Sequence, residues 1–471
     1  MIKNTLYKIF VVGSLSIFSI ACSKFDQDFT TKAINELTID ATETSYTLVQ
    51  FEKLNIPVSI SASQQASGNY SYTWKAIASD KTYIISTEKD LNTTIELSPG
   101  TYNLQYTVKD LENGLEFNKL FSLTVNGAFY SGWLVSHNQA NKGKLSFVRS
   151  DYTVFSNPGE EINTIQFEGK SVGAFYTAIR FYNQYASINY FTDKGVYRFD
   201  PNDFKLTGKT ENVIPNKTSF GSVAYGATLI GADQYFVIDG KVHAGMGSFY
   251  ADQILMPYSE GFTGDYDIFP AVITTPYLAT YFYDNKAKRF MQVPYLEREL
   301  SPISGSNAAL FNLGNVGKTM IAADKGRAGT TSGIYYFVME DADGRYFYAI
   351  NNTSPSYAQK VENTKCPEFS EATSFATSVA FEHMYYVVNN KIYLYNMVAN
   401  AAELLYTFPS GYKIKDIQID KSTSKSLAVG TVNNGSGELH LFDINDIGHF
   451  VNNKPSRSIT GFGEIVHINI K

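Results

Sequence analysis

Residues 257–270 carry the densest group of side chains that could contact a ligand. The segment contains two turn glycines, the aromatic residues Phe262 and Tyr266, and the acids Asp265 and Asp267. Aromatic rings supply a large contact area at low entropic cost, and carboxylates can orient backbone amides or cationic groups. We therefore expect these four residues to form a ligand-contact loop. The alternative is a connection between structural repeats whose aromatic rings pack onto the protein itself.

Two further segments resemble ion or phosphate sites. Residues 314–319 read Gly-Asn-Val-Gly-Lys-Thr, the end of a phosphate-binding loop, but the first glycine of that motif is replaced by Asn312. Residues 341–344 read Asp-Ala-Asp-Gly, but the later ligands of a calcium loop are missing. We predict a glycine-rich turn at the first segment and an Asp-Gly hairpin turn at the second.

Residues for catalysis or metal binding do not cluster in the sequence. The six histidines are far apart, and neither a His-x-x-x-His nor a Cys-x-x-Cys pair occurs. We identify no nucleophile elbow of the kind that hydrolases use. The expectation is a protein that is not an enzyme, with no catalytic residue, no metal and no cofactor. A hydrolase or lyase whose residues meet only in the fold is the alternative.

The first cysteine suggests covalent attachment of lipid. Lys3 and Lys8 precede an apolar run that is too short to span a membrane, and Ser19-Ile20-Ala21-Cys22 then looks like a bacterial lipobox. We predict a signal peptide at residues 1–21, lipid attachment at Cys22 and a lipidated tether at residues 22–33. An ordinary secretory signal with an incidental cysteine is the alternative.

Composition limits the kinds of partner that we expect and the chance of a disulfide. The formal net charge is −6, and it becomes −8 when Lys3 and Lys8 are removed with the signal peptide. No basic run occurs, which argues against nucleic acid as a partner. Cys366 is left without a second cysteine to pair with, so we expect a structural thiol rather than a disulfide.

A repeated hairpin pattern must position whatever site the chain forms. Around Asn389-Asn390, two predicted strands flank a two-residue turn, and apolar and aromatic residues alternate in the second strand. Related hairpins begin about 42 to 56 residues apart, at Trp133, Asn189, Tyr235, Tyr281, Tyr335, Tyr385 and Leu427. This spacing is typical of four-stranded propeller blades, and it favours a seven-bladed β-propeller over residues 127–471.

Two other features belong to the predicted propeller. Residues 464–470 alternate as a strong strand, and we predict that they complete the blade containing residues 133–136, since a ring of sheets has no open edge only if its ends share a sheet. Residues 296–327 are rich in Gly, Ser and Asn, and we expect a long connection at the rim.

Residues 34–126 predict a separate β-sandwich. Tyr70, Tyr72 and Trp74 share one face of an alternating strand, and a Ser-Pro-Gly turn at 98–100 precedes another. A buried Trp in a middle strand is typical of immunoglobulin-like sandwiches. The Tyr72-Thr73-Trp74 strand and the Pro99-Gly100-Thr101-Tyr102 strand resemble those of PKD (polycystic-kidney-disease) domains, although the usual Gly-Asp-Gly after the Trp strand is absent.

The lipobox, the sandwich and the junction at residues 126–135 together resemble the PKD-like lipoproteins of Bacteroidetes. Residues 23–28, an acidic cluster behind Cys22, resemble the surface-export signal of such lipoproteins, with a plain flexible tether as the alternative. The resemblance implies an outer-membrane accessory protein that faces the cell exterior. Its implied partners are a SusC/SusD-type, TonB-dependent importer complex, other surface lipoproteins, and an oligopeptide or, second, a glycan. The membrane would be contacted through the N-terminal lipid only.

Overall fold

The computed structural model describes residues 34–64, 68–178, 186–228, 233–245, 257–274, 279–294, 297–303, 309–328 and 333–471. The chain divides into two units, of which the first ends at Val125 and the second comprises Asn126–Lys471. The sequence predicted this division after residue 126. Both units are built from β-strands, and each is described by itself.

The first unit is a β-sandwich. Its strands are β1 (Leu37–Asp40), β2 (Ser45–Val49), β3 (Lys53–Ile56), β4 (Ser59–Ala62), β5 (Tyr70–Ile77), β6 (Thr82–Ser86), β7 (Leu91–Thr94), β8 (Gly100–Asp110) and β9 (Glu116–Asn126). A five-stranded sheet has the order β2-β9-β8-β5-β6, and the remaining strands pair as β1-β4 and β3-β7.

Trp74 lies at the centre of the sandwich core, as the sequence predicts. The side chain is fully buried, and its ring stacks on Tyr106 at a centroid distance of 4.3 Å. The indole Nε1 donates a hydrogen bond to the carbonyl of Glu88 at 3.1 Å, which satisfies its only polar group. The Tyr102 hydroxyl donates to the carbonyl of Ser98 at 2.7 Å and fixes the predicted turn.

The described part of the second unit contains the remaining strands, two short α-helices and two 3-10 helices (Phe369–Glu371 and Val451–Asn453). Its first half comprises β10 (Gly132–Gln139), β11 (Lys142–Arg149), β12 (Val154–Phe155), α1 (Pro158–Asn163), β13 (Ser171–Thr177), β14 (Ser187–Thr192), β15 (Val196–Phe199), β16 (Leu206–Lys209), α2 (Thr210–Val213), β17 (Val223–Ala227), β18 (Gln234–Ile238), β19 (Lys241–Gly245), β20 (Ile273–Thr274), β21 (Ala279–Asp284), β22 (Arg289–Pro294) and β23 (Ser301–Pro302). Its second half comprises β24 (Thr319–Ala328), β25 (Gly333–Asp341), β26 (Gly344–Asn351), β27 (Ser354–Lys360), β28 (Ser374–Thr377), β29 (His383–Val388), β30 (Lys391–Asn396), β31 (Ala401–Thr407), β32 (Lys413–Ile419), β33 (Ser426–Asn433), β34 (Ser436–Asp443), β35 (Arg457–Phe462) and β36 (Glu464–Ile470).

These strands form the consecutive sheets of a β-propeller. Within the described residues there are seven sheets: sheet 1 (β12-β11-β10-β36), sheet 2 (β13 to β16), sheet 3 (β17 to β19), sheet 4 (β20 to β23), sheet 5 (β24 to β27), sheet 6 (β28 to β31) and sheet 7 (β32 to β35). The propeller fold is as the sequence predicts. A seven-bladed count for the whole chain stays a prediction.

An apolar core lies between each pair of consecutive sheets. Alternate side chains of one strand point to opposite faces, so Tyr336 packs toward sheet 6 while Tyr335 packs toward sheet 4. The last of these cores joins sheet 7 to sheet 1, where Leu439 packs with Val135 and Ile468. The cores therefore continue around the ring.

The C-terminal strand closes the ring, as predicted. β36 pairs antiparallel with β10, and Trp133 lies opposite Ile470 while Val135 lies opposite Ile468. The imidazole of His137 adds a second link, because its Nδ1 accepts a hydrogen bond from the Gly463 amide at 3.0 Å and its Nε2 contacts Ser146 Oγ at 3.0 Å. Burial, and secondarily Lys144, lower the pKa of His137 to about 4, so the imidazole is neutral at pH 7.

The expected rim connection at residues 296–327 is wrong over its second part. Residues Thr319–Ala328 form β24, a ten-residue strand at the inner edge of sheet 5. Its small residues read as a loop, yet they permit close packing. A Cβ at Gly326 would lie 1.9 Å from the ring of Tyr336, so the glycine makes room for that ring.

Candidate functional site

Phe262 and Tyr266 lie in the propeller core, which corrects their prediction as ligand anchors. Their residues are only 7% and 8% exposed, and they pack between sheets 3 and 4 with Val242 and Ile268. The Phe262 amide donates to the carbonyl of Val242 at 2.9 Å, and the Tyr266 hydroxyl donates to the carbonyl of Phe262. Since the rings are enclosed, they cannot offer their faces to a ligand in this conformation.

Asp265 and Asp267 remain at the surface. The Asp265 carboxylate pairs with Lys286, and this hydrogen-bonded ion pair lowers its pKa. Asp267 acts through its backbone, because its amide donates to Asp284 Oδ1 at 3.0 Å and its carbonyl accepts from Asn285 at 2.8 Å. Ligand contact through these two carboxylates stays a prediction.

The other sequence candidates have structural explanations. Residues 341–344 form the predicted hairpin turn between β25 and β26, and the Lys318 amine pairs with the Asp341 carboxylate. Lys318 is the lysine of residues 314–319, the segment that resembles a phosphate-binding loop, and it is therefore engaged by Asp341. Cys366 is fully buried, and burial raises the pKa of its thiol to about 11, so the thiol is a structural one. Cys22 lies outside the described residues, and its lipidation stays a prediction.

One motif was overlooked in the sequence. Residues 169–173 read Gly-Lys-Ser-Val-Gly and match the Gly-x-Ser-x-Gly pattern of hydrolases. The structure places Ser171 at the start of β13, without the strand–turn–helix geometry that exposes a nucleophile. Its buried hydroxyl lies 2.6 Å from the Tyr190 hydroxyl and donates to the carbonyl of His137 at 2.9 Å, so it ties sheet 2 to sheet 1.

A polar channel forms instead at the inner edges of the sheets. Its cavity has a volume of about 630 Å³ and is lined mainly by β13, β17, β20, β24, β32 and β36. The charged or amide-bearing residues of its wall, with one imidazole among them, are Asp324, Lys325, Gln418, Lys421, His467 and Asn469. The ring therefore gathers into one cavity side chains that are more than 140 residues apart in sequence.

Asp324 and Lys421 form a paired centre in the channel wall. Lys421 Nζ donates to Asp324 Oδ2 at 2.6 Å and to the carbonyls of Thr377 and Lys325 at 2.7 and 2.9 Å. Asp324 Oδ2 also accepts from the amide and hydroxyl of Thr377, at 2.7 and 3.0 Å. These bonds join sheets 5, 6 and 7. Burial lowers the pKa of Lys421, and Asp324 opposes this shift by stabilising its charge.

Lys325 is the second cation of the wall and has no acidic partner of its own. No carboxylate of the described ranges lies within ion-pair distance of its amine. Its pKa is lowered first by the loss of hydration and then by the neighbouring charge of Lys421. Because Lys421 is already neutralised by Asp324, the Lys325 amine is the wall's uncompensated positive charge.

Asp416 belongs to β32, a strand that lines the channel, and it bonds to the C-terminal strand. Asp416 Oδ2 accepts from the Ile468 amide at 2.7 Å, and burial raises the pKa of this carboxyl to about 7. Asn469 Oδ1 accepts from the Tyr176 amide at 2.9 Å. Both bonds therefore fix β36 within the ring, the first to sheet 7 and the second to sheet 2.

His467 contributes an imidazole that is neutral at pH 7. It packs on the ring of Phe175 at 4.9 Å, and burial lowers its pKa to about 4. Its Nδ1 is buried and has no hydrogen-bond partner in the part of the chain that the structure describes. Such an atom costs free energy unless a water or a ligand satisfies it.

The groups of this wall are suited to hydrogen bonding with a polar ligand. The Asp324 carboxylate is held by Lys421, and the Asp416 carboxylate by a backbone amide. No group of three or more His, Cys, Asp or Glu residues that could hold a metal ion occurs among the residues with described positions. What the wall offers is an ammonium group, an imidazole and an amide around an open cavity.

Fold and channel together define an all-β protein, a sandwich followed by a β-propeller with a polar channel. The sequence model of the PKD-like family matches residues 28–171, which include the sandwich, strands β10 to β12 of sheet 1 and the first residue of β13. No curated protein matches the chain. In the described part of the chain, no helix is both long and apolar enough to cross a membrane.

Several solved structures resemble the chain in fold. A quinoprotein alcohol dehydrogenase-like protein from Bacteroides thetaiotaomicron is 12% identical, with 91% of this chain and 96% of that chain covered and a TM-score of 0.42. The dihydro-heme d1 dehydrogenase NirN is 7% identical, with coverages of 78% and 72% and a TM-score of 0.43. The extracellular domain of a one-component system of B. thetaiotaomicron is 12% identical, with coverages of 64% and 38% and a TM-score of 0.38. At these scores we base no argument about function on them.

Proposed function

We propose that this protein is a lipid-anchored accessory protein of the bacterial outer membrane that binds an oligopeptide without cleaving it. The ligand would enter the propeller channel and place a carboxylate against Lys325. The observation that carries the proposal is the uncompensated ammonium group of Lys325 in the channel wall.

The chemistry of Lys325 favours a peptide over a neutral glycan. A half-buried cation without an acidic partner gains most from an anionic ligand group, because charge-assisted hydrogen bonds are stronger than neutral ones. Every linear peptide carries a terminal carboxylate, whereas an uncharged sugar carries none. His467 Nδ1 and the Asn469 amide lie on the same wall and could bond to the backbone of the peptide.

A surface anchor would make modest affinity sufficient. Lipidation at Cys22 would confine the protein to the membrane, and the sandwich lies between this residue and the propeller in the sequence. Confinement beside an importer raises the effective concentration of captured ligand without any new contact. We therefore propose docking on a SusC/SusD-type importer complex as the second part of the function.

The alternative is a surface hydrolase or lyase, and one observation favours it. Burial raises the pKa of Asp416 to about 7, close to the value expected of a general acid or base, and the carboxyl belongs to a strand that lines the channel. The hydrogen bond from the Ile468 amide gives Asp416 a structural role, which is why we favour binding.

Calorimetry with product analysis separates these functions. The purified chain is titrated with an oligopeptide pool and with a neutral glycan pool, and each mixture is analysed after long incubation. We expect heat from the peptides and intact peptides at the end. Binding of glycans alone would contradict the proposed ligand, and cleavage that is lost in Asp416→Asn would establish the enzyme.

Anchoring and docking have their own measurements. A pull-down from detergent-solubilised outer membrane, followed by mass spectrometry, should recover importer subunits. Cys22→Ala should abolish acyl labelling and release the protein from the membrane fraction, because several acyl chains hold firmly whereas an unlipidated chain has no such anchor. Unchanged fractionation of Cys22→Ala with its acyl label retained would refute lipidation at this residue.

A further inference from the structure

A second cavity lies between sheets 5 and 6, apart from the channel. It has a volume of about 370 Å³, within the size range of small-ligand sites. Tyr336, Phe347 and Tyr357 of sheet 5 form one wall, and Met397 and Val398, from the turn after β30, form the other. Neither the sequence prediction nor the proposed channel function uses this cavity.

The aromatic wall is ordered by contacts around the cavity. The rings of Tyr336 and Phe347 stack at a centroid distance of 5.3 Å, and Tyr357 meets Phe347 edge-on at 5.8 Å. The Tyr357 hydroxyl donates to the carbonyl of Met397 at 2.8 Å and ties the two walls together. The cavity is therefore built into the packing of the two sheets.

The mouth of the cavity combines an apolar edge with a negative charge. Val398 is 75% exposed, which is unusual for a residue beside a core. Glu382 lines the cavity from the turn before β29, and its exposed carboxylate forms no ion pair with any described residue. The pKa of Tyr336 is raised to about 12, first by burial and then by the Glu382 charge, with Arg327 opposing the shift. The charge of Glu382 therefore acts on the aromatic wall of the cavity.

We propose that this cavity binds the side chain of a lysine or arginine in the peptide ligand. The apolar stem would lie on Tyr357 and Val398, which are accessible apolar residues of the lining. The buried Tyr336, Phe347 and Met397 would lie behind them, and the cationic head would reach Glu382. Long cationic side chains bury their stems along apolar surface while keeping the charge near water, and cations are attracted to aromatic faces. The inference rests on the proposed peptide binding and names a side-chain preference for it.

Saturation-transfer NMR on the purified full chain tests the cavity independently of the channel. The probes are Nα-acetyl-lysine methylamide and its norleucine analogue, which has the same stem but no charge, and neither carries a carboxylate for Lys325. We expect the lysine probe to bind. The norleucine probe should bind more weakly by roughly fivefold, given the usual strengths of exposed ion pairs and cation–π contacts.

Three variants assign the binding to this cavity. Glu382→Gln should reduce lysine-probe binding to the level of the norleucine probe. Val398→Trp should block the mouth and weaken both probes, whereas Glu371→Gln, the same change at another exposed glutamate, should leave binding unchanged. Equal binding of the two probes, unchanged binding in Glu382→Gln, or no binding of either probe would overturn the inference. Peptide binding that depends on Lys325 would stand in each of those cases.

Discussion

The 257–270 segment and the channel wall both carry side chains that could contact a ligand, but the fold places them in opposite ways. The segment looks like a binding loop in sequence, yet Phe262 and Tyr266 are enclosed in the core and Asp265 is neutralised by Lys286. The channel wall has no motif in sequence, yet among the described residues Lys325 has no acidic partner there and His467 Nδ1 has no hydrogen-bond partner.

The difference shows where a propeller can place a polar site. Connections between sheets bring their aromatic residues into the inter-sheet cores, because each sheet must cover both of its faces. The innermost strand of each sheet has an edge that no other strand covers, so polar residues of different sheets can meet at the channel. Position in the ring, rather than side-chain type alone, therefore distinguishes the proposed channel site from the 257–270 segment.

The largest loss of stability should follow removal of β36, because both ring closure and the channel wall depend on this strand. β36 both closes sheet 1 and supplies His467 and Asn469 to the channel. Deleting residues 465–471 should expose the edge of β10 and abolish the folded monomer, which size-exclusion chromatography and thermal melting would detect. A synthetic peptide of residues 464–471 should restore part of the solubility. A truncated chain that stays monomeric with the wild-type melting temperature would contradict closure by β36.

Truncating the enclosed aromatic residues should affect stability rather than binding. Phe262→Ala should lower the free energy of unfolding by about 3–5 kcal/mol, as expected for removal of a buried phenyl ring. Asp265→Asn, three residues away at the surface, should change it by less than about 1 kcal/mol. Denaturant unfolding measures both. A stable Phe262→Ala protein with weakened ligand binding would restore the binding-loop interpretation.

Asp416 should make stability fall as the pH rises. Its pKa is about 7 in the folded protein and 3.8 in the reference state, so between these values the folded state holds a proton that the unfolded state has lost. The wild type should therefore lose stability relative to Asp416→Asn from pH 4 to 7, by at most about 1.4 kcal/mol per pH unit, and the difference should level off above pH 7. A pH-independent difference would mean that the carboxyl is not buried.

His467 should make stability rise with pH, over a narrower pH range than that of Asp416. Its pKa is about 4 in the folded protein and 6.5 in the reference state, so between these values only the unfolded state is protonated. The wild type should gain stability relative to His467→Gln from pH 4 to 6.5, and the difference should be constant above. The same unfolding series measures both variants. Parallel pH profiles for the wild type and His467→Gln would contradict a buried neutral imidazole.

Local patterns explain what the sequence predicted well. Asn389 adopts a positive φ of 55° in the turn between β29 and β30, and the 341–344 turn pairs Asp341 with Gly344, so the hairpins were readable from adjacent residues. Trp74 and the closing strand were likewise readable from alternation. β24 was missed because Gly326 and its small neighbours have low strand propensity, and the strand depends on pairing with β25 and on the ring of Tyr336.

The channel could not be predicted in the same way. Lys325 and His467 become neighbours in one wall only when the ring closes, and no local pattern records which strand of a sheet is innermost. One signal was available in β32. Its residues Ile414, Ile417 and Ile419 are buried, whereas the polar residues Asp416 and Gln418 between them are only half-buried. Polar residues that interrupt the strand before each hairpin are therefore the feature to search for.

The most direct test of the channel as the binding site is calorimetric titration with one oligopeptide in two forms, one with a free C-terminus and one with an amidated C-terminus. The wild type is compared with Lys325→Gln and with the double variant Asp265→Asn/Asp267→Asn. We expect the wild type to prefer the free acid by roughly tenfold, within the range of a charge-assisted hydrogen bond. Lys325→Gln should lose this preference, and the double aspartate variant should keep it. Equal affinities for the two peptides in the wild type, or a preference that survives in Lys325→Gln and disappears in the aspartate variant, would contradict the channel as the binding site.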